Sequence, residues 1–336
     1  MNQKLSITKT GNFRTLQEKW TNQRVVDLLV RNSLLIVILI VMVYFATQNE
    51  RFASFGNLRA VLIAAAPFAL IALGQTIVIL TGGIDLSVGS VVAMGAMSAA
   101  WLSIRLPPEQ LWLAIVIAVI LGTLAGIING LVIAYLDVPP FVATLGMLTG
   151  ASGIAYVIGG GAPINGLPAE FAVIANTKIF GLQFPVYLMI GSFIIMALIM
   201  KYSAFGLRVY AIGGNRVAAE VAGVNAKRTL VQVYAISGSL AGVSGVVLAS
   251  RVGSGPPSLG VGYELLAIAA VVIGGASLMG GRGTVWGTFL GLIIIQTLGN
   301  GLDIMIVPSY WQSVINGVVI VSAVAVDVWA NRRRSR

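Results

Sequence analysis

Asp85 is the most chemically distinctive residue of this chain. It stands in Thr81-Gly82-Gly83-Ile84-Asp85-Leu86-Ser87-Val88-Gly89-Ser90, a glycine-rich stretch set between two long apolar runs. A carboxylate there can do two things. It can cap the following helix by accepting backbone N–H groups from Ser87 or Val88, or it can help line a pathway for a polar solute. The two roles can coexist. Gln75, Asn129 and Thr144 lie within neighbouring apolar runs, as do Gln296, Asn300 and Asn316. Such neutral groups exchange hydrogen bonds with a polyhydroxylated solute, and they equally serve as bonds between helices. Covalent catalysis has no support. The chain contains no His, and no Cys for a disulfide or a thiolate site. Its other intramembrane-edge carboxylates, Asp137, Glu264, Asp303 and Asp327, are scattered near the ends of apolar runs. No nucleophile, base or metal set converges.

The elements that must position these groups follow from composition. Of 336 residues, 57% are hydrophobic and 10% charged, against about 25% charged in ordinary soluble domains. The expected fold is an all-α polytopic membrane protein. Long windows free of charge in their interiors, since a charge is costly at the bilayer centre, mark spans at about 32–48, 59–81, 86–104, 111–136, 140–160, 185–201, 229–250, 264–281, 284–302 and 309–329. That gives about ten transmembrane helices. It also divides the chain into a basic tail at 1–31, a transmembrane body at 32–329 and a second basic tail at 330–336.

With the N-terminus in the cytoplasm, 16 of the 21 Lys and Arg residues fall inside. Only Arg51, Arg59, Arg105, Lys178 and Arg251 fall outside. Basic residues favour the cytoplasmic side, so both termini are expected there. The net charge of +10 is explained by tails and inner loops, and nucleic acid is not an expected partner. The partner is membrane lipid. Trp101, Tyr156, Trp311 and Trp329 read as an interfacial aromatic belt. About 30 polar, basic residues precede the first apolar run, which suits a retained anchor rather than a cleaved signal.

Glycine occurs 40 times, often at four-residue spacing. Gly122–Gly126–Gly130, Gly146–Gly150, Gly238–Gly242 and Gly283–Gly287–Gly291 each set small residues on one helix face, where backbones can approach closely. Pro67 lies inside the second window and is expected to kink it. Gly82, Gly83, Leu86 and Gly89 are echoed in spacing by Gly274, Gly275, Leu278 and Gly281. Backbone that leaves the helix at membrane depth must line a cavity or be buried in protein, and broken helices mark binding sites in transporters.

One sizeable polar segment, 203–228, is expected inside the cell. It reads as a short helix with Asn215 as N-cap and Gly223 as the C′ residue. Val217 and Val221 share a face. A helix of two turns is not stable alone, so it must pack on its own bundle or insert into a partner's groove. Its rim carries Arg208, Arg216, Lys227 and Arg228.

Gly213-Gly214-Asn215 with Ala218-Ala219 and Gly223-Val224-Asn225 resembles the coupling segment of sugar-type ABC transporter permeases. The acidic residue that opens the related importer motif elsewhere is replaced here by Val217. Thr81–Ser90 resembles a second hallmark of that family. The run from Gly262-Tyr263-Glu264-Leu265 through Ala269–Gly275 to Gly280-Gly281 resembles a third. The resemblance spans about 33–329 and is nearest to ribose-type permeases.

It implies a type II ABC importer-like bundle in the bacterial inner membrane. It also implies a second permease copy or a sister permease, and a periplasmic sugar-binding protein. ABC ATP-binding subunits would use ATP and magnesium. By the resemblance Arg208, Gly213, Gly214, Asn215, Ala218, Ala219 and Gly223 couple to the ATPase. Gln75, Gly82, Gly83, Asp85, Ser87, Asn129 and Thr144 are the candidate translocation residues. No cofactor is expected on this chain, and no phosphate loop of the form Gly-x4-Gly-Lys-Ser/Thr is present in it. The loop 161–184, with Arg51, Arg59 and Glu170, is the candidate contact for the binding protein. Glu264 is expected to pair with Arg251. The rival reading is an ion-coupled secondary sugar transporter, for which Asp85 is the one deep titratable candidate.

Overall fold

The computed structural model describes residues 33–334, with side chains from 34 to 325. The tail at 1–31, and Asp327 and Trp329 as side chains, lie outside the described residues, as do Ser335 and Arg336. Among the described residues there are thirteen α-helices: α1 Ser33–Gln48, α2 Phe55–Leu80, α3 Val88–Ser103, α4 Leu111–Tyr135, α5 Pro140–Ile158, α6 Ala169–Asn176, α7 Phe184–Tyr202, α8 Ala204–Gly214, α9 Arg216–Val221, α10 Ala226–Val252, α11 Tyr263–Ile273, α12 Val285–Ile304 and α13 Ser309–Arg334. Each of the ten apolar windows holds one of them. Six, namely α2, α4 with its short lead-in, α5, α7, α10 and α12, are long and apolar enough to cross a membrane. Four others are shorter apolar helices.

Two helices form the centre. Every residue of α2 from Ala65 to Leu80 is buried, as an all-round apolar helix requires. Its neighbour α10 packs against α4, α3 and α2. The glycine spacing explains the intimacy of α4 and α10. A side chain on Gly122 would overlap the Gly238 carbonyl, and one on Gly126 the Tyr234 carbonyl. Conversely, one on Gly238 would strike Gly122. Gly287 and Gly291 seat α12 against Gly274 and Ala270 in the same way. Gly146 and Gly150 differ, with open space where a Cβ would stand.

Pro67 has no N–H to give the carbonyl of Ile63, one turn earlier. Arg251 fills the gap, its guanidinium donating to Ile63 O at 3.3 Å. The expected Arg251–Glu264 pair is therefore replaced by a bond to backbone. Ser244 donates to the carbonyl of Pro67 itself at 2.8 Å.

The turns gather at two ends. One end holds 81–87, 136–139, 203–225 and 274–284. The other holds 49–54, 104–110, 159–183 and 253–262. At this second end β1 (Ile164–Asn165) pairs antiparallel with β4 (Ser254–Gly255). Beyond β1 come α6 and a hairpin of β2 (Lys178–Ile179) and β3 (Leu182–Gln183). The loop expected at 161–184 is thus ordered, with Phe180 at its tip 98% exposed.

Two boundaries differ from expectation. The window 264–281 was expected to be one helix, but α11 stops at Ile273 after 11 residues. Gly275, Gly280 and Gly281 then take positive φ, a conformation open to glycine at little cost, and the chain turns before α12. Hydropathy sees no stop because this stretch is itself uncharged up to Arg282. The segment 203–228 holds two helices, not one. The unexpected α8 is capped at its start by Ser203, whose hydroxyl accepts the Gly206 N–H at 3.2 Å.

Candidate functional site

Asp85 lies in the break between α2 and α3 and is 1% exposed. The break begins where Gly82 takes φ 81°, and α3 starts only at Val88. One carboxylate oxygen, Oδ1, accepts the Ser87 N–H at 3.0 Å and the Ser87 hydroxyl at 2.6 Å. Oδ2 accepts the hydroxyl of Ser237, from α10, at 3.1 Å. Asn129, from α4, donates to Ser87 Oγ at 3.0 Å. Thr144, from α5, donates to Pro140 O one turn earlier at 2.8 Å, and the carbonyl of Ile84 lies 3.3 Å from the same hydroxyl. Gln75, in the last turns of α2, clamps the backbone of Asp85. With the amide turned so that its nitrogen faces Asp85 O, that nitrogen donates at 3.1 Å and the oxygen accepts the Asp85 N–H at 3.3 Å.

Five of the seven expected translocation side chains and backbones therefore meet in one buried polar knot. Of the two sequence roles of Asp85, the local one is visible: it accepts the Ser87 N–H at the turn into α3, and its other oxygen ties that turn to α10. Among the described residues no Lys or Arg bonds the carboxyl group, and three donated hydrogen bonds satisfy its two oxygens. An unmatched buried charge would be far more costly. Ser237 lies 11 residues into α10, about 16 Å along the helix, so the knot is well inside the bundle.

The two glycines ahead of Asp85 differ. Gly82 is exposed, and Gly83 is buried. A Cβ on Gly83 would stand 2.5 Å from the Tyr234 hydroxyl. That hydroxyl is buried and has no hydrogen-bond partner. Tyr234 and Ser237, three apart on α10, share one face. Neither was singled out from sequence, because small and aromatic polar residues in a glycine-rich helix read as packing. A Tyr-x-x-Ser spacing opposite a broken helix is the signal that was present.

The second candidate region holds α8 and α9. The side chain of Asn215 accepts the Ala218 N–H at 3.0 Å, capping α9. Gly223 takes φ 86°, and Val224 N–H reaches back to Ala219 O at 3.0 Å, which closes the helix. Ala219 is buried and turns inward, while Ala218, Gly214 and Gly223 are exposed. Arg208 is half-buried on α8. Arg216 pairs with Glu220 at 3.1 Å along the exposed side. Val217 and Val221 are 71% and 86% exposed, an apolar face with nothing against it among the described residues. A cavity of about 200 Å³ lies between the two regions, lined by Thr81, Gly82, Gly83, Asp137, Arg216 and Tyr234 among others.

The polar groups of the knot are buried and bonded to one another, and among the described residues they include no nucleophile–base pair. Among the described residues no cluster of three metal-ligating side chains occurs.

Residues 57–324 match the family described as the branched-chain amino acid transport system permease component. The chain is 37% identical over 324 residues to the ribose import permease protein of Haemophilus influenzae, covering 95% of this chain and 99% of that one. It is 41% identical to the ribose import permease protein of Bacillus subtilis, covering 86% and 89%. It is 38% identical to the galactose/methyl galactoside import permease protein of Haemophilus influenzae, covering 90% and 95%. No solved structure matches. A broken, glycine-hinged bundle with a capped helix at one end, matched along nearly its whole length to such proteins, belongs to this family of membrane transport permeases.

Proposed function

We propose that the chain is the membrane-spanning permease subunit of an ATP-driven importer that carries a monosaccharide, a ribose-like pentose or a related sugar. The observation that carries this reading is the 37–41% identity to ribose import permeases over most of both chains. The site chemistry supports it. A knot of hydroxyls, amides and one carboxylate matches the hydrogen bonding of a polyhydroxylated solute.

In this reading ten helices cross the bacterial inner membrane, the Gly213 end faces the cytoplasm and both termini lie there. The positive-inside balance supports that orientation. ATP-binding subunits, using ATP and magnesium, receive α9 in a groove. The free valine pair supports docking, since an amphipathic helix lays its apolar face into such a groove. A second permease copy or a sister permease completes the pore, and a periplasmic sugar-binding protein delivers substrate at the opposite end, where the ordered 161–184 region projects.

The test is sugar uptake by proteoliposomes holding the permease, the ATP-binding subunit and the binding protein. Uptake is expected to need ATP and to persist when a protonophore collapses the proton gradient. Accumulation by the permease alone on a proton or sodium gradient would replace this reading with an ion-coupled carrier centred on Asp85.

A further inference from the structure

We propose that Gly213, at the end of α8, is a positioning residue: a backbone joint through which the docking helix moves both broken membrane segments together. The inference deepens the functional reading above and rests on it.

Three stretches of main chain meet here with no side chain between them. A side chain on Gly213 would overlap the carbonyl oxygen of Leu80, the last residue of α2, and the nitrogen of Gly281. Those two atoms are already bonded, Gly281 N–H donating to Leu80 O at 2.9 Å. A Cβ on Gly280 would stand 2.8 Å from Gly82 N and 2.9 Å from Gly213 O. One on Gly281 would stand 2.8 Å from the Cα of Gly214. The first break, starting at Thr81, and the second, starting at Gly274, therefore touch each other and the end of α8 at one point. The spacing echo between the two breaks acquires a physical sense: both are glycine-built so that they can be stacked this closely.

Side chains between moving parts absorb displacement by changing rotamer. Main chain pressed on main chain cannot, because packed interiors transmit strain. A second tie lies nearby on α8, where the Tyr210 hydroxyl donates to Gly283 O at 3.0 Å. On the other side, Asn215 alone separates α8 from α9, and its side chain caps α9. The docking helix and the joint thus move as one lever. Five residues beyond Leu80 sits Asp85, pinned to Ser237. The cavity under Gly82 and Gly83, bordered by Arg216, leaves room for the first break to shift when the lever turns.

Hydrogen exchange on the assembled wild-type transporter tests this without any substitution. ATP binding is expected to change exchange in peptides covering 80–87 and 277–284 together with those covering 213–225. A change confined to 213–225 would overturn the proposal. Gly213→Ala is expected to retain the ATP-binding subunits on purification yet lower sugar imported per ATP hydrolysed by about tenfold. Tyr210→Phe, which removes one hydrogen bond, should act in the same direction by about a few-fold. Wild-type stoichiometry in both variants would overturn the joint while leaving the importer reading intact. Failure of the wild-type chain to capture any ATP-binding subunit would instead overturn both.

Discussion

The hydroxyl of Ser237 donates to the carboxylate of Asp85 at 3.1 Å, across 152 residues of sequence. It is the bond between the central helix α10 and the broken end of α2. Its partner oxygen has no other donor among the hydrogen bonds that hold Asp85, so one hydroxyl balances half of a buried carboxylate.

Ser237→Ala should therefore destabilise the bundle by about 1.5–3 kcal/mol, the range for a hydrogen bond to a charged group. Thr123→Ala is the control, since its hydroxyl donates only to Val119 within the same helix. Thermal unfolding in detergent is expected to show a clear fall in Tm for the first and a small change for the second. Equal falls would contradict the balance described here.

Arg251 and Pro67 should be coupled. Removing the guanidinium strands the Ile63 carbonyl at a cost of about 1–3 kcal/mol. Pro67→Ala restores an N–H that can serve that carbonyl. Arg251→Gln is then expected to cost less in the Pro67→Ala background than alone. A double-mutant cycle measures the difference, and strict additivity would refute the substitution of Arg251 for the missing helical donor.

The glycines should divide into two classes. Gly126→Ala places a methyl on the Tyr234 carbonyl, and overpacking of this kind costs about 1–3 kcal/mol. Gly150→Ala meets open space and should leave stability unchanged or raise it by about 0.4–1 kcal/mol. Comparison of their melting temperatures checks the backbone contact of α4 with α10.

Much of this was legible in the residues. Ten apolar windows each hold one helix, since hydropathy reports burial or membrane depth directly. Asn215 and Gly223 announced both ends of α9, because capping chemistry is local. Gln75, Asp85, Ser87, Asn129 and Thr144 stood out as polar residues in apolar runs, and they converge. The stop of α11 at Ile273 was hidden, because a turn built from glycine needs no polar residue. The helix α8 was hidden because it is short and holds three glycines, two of them at its end. The joint at Gly213 left only its glycines in the sequence, Gly213-Gly214 and the echoed glycines of the two breaks, and nothing that says they meet. It is made by atoms that every residue carries, and what distinguishes it is only the absence of side chains.

The exposed valines of α9 offer the most direct measurement. The chain contains no cysteine, so Val217→Cys and Val221→Cys each introduce a unique thiol at a position 71% and 86% exposed. Substitution there should change stability by no more than about 0.5 kcal/mol. Cross-linking is then run in inner-membrane vesicles from cells that also express the ATP-binding subunit. The expected result is a covalent adduct with that subunit from both positions, strengthened or weakened by nucleotide. No adduct from either position, or labelling of these thiols only by a reagent confined to the periplasm, would contradict the account.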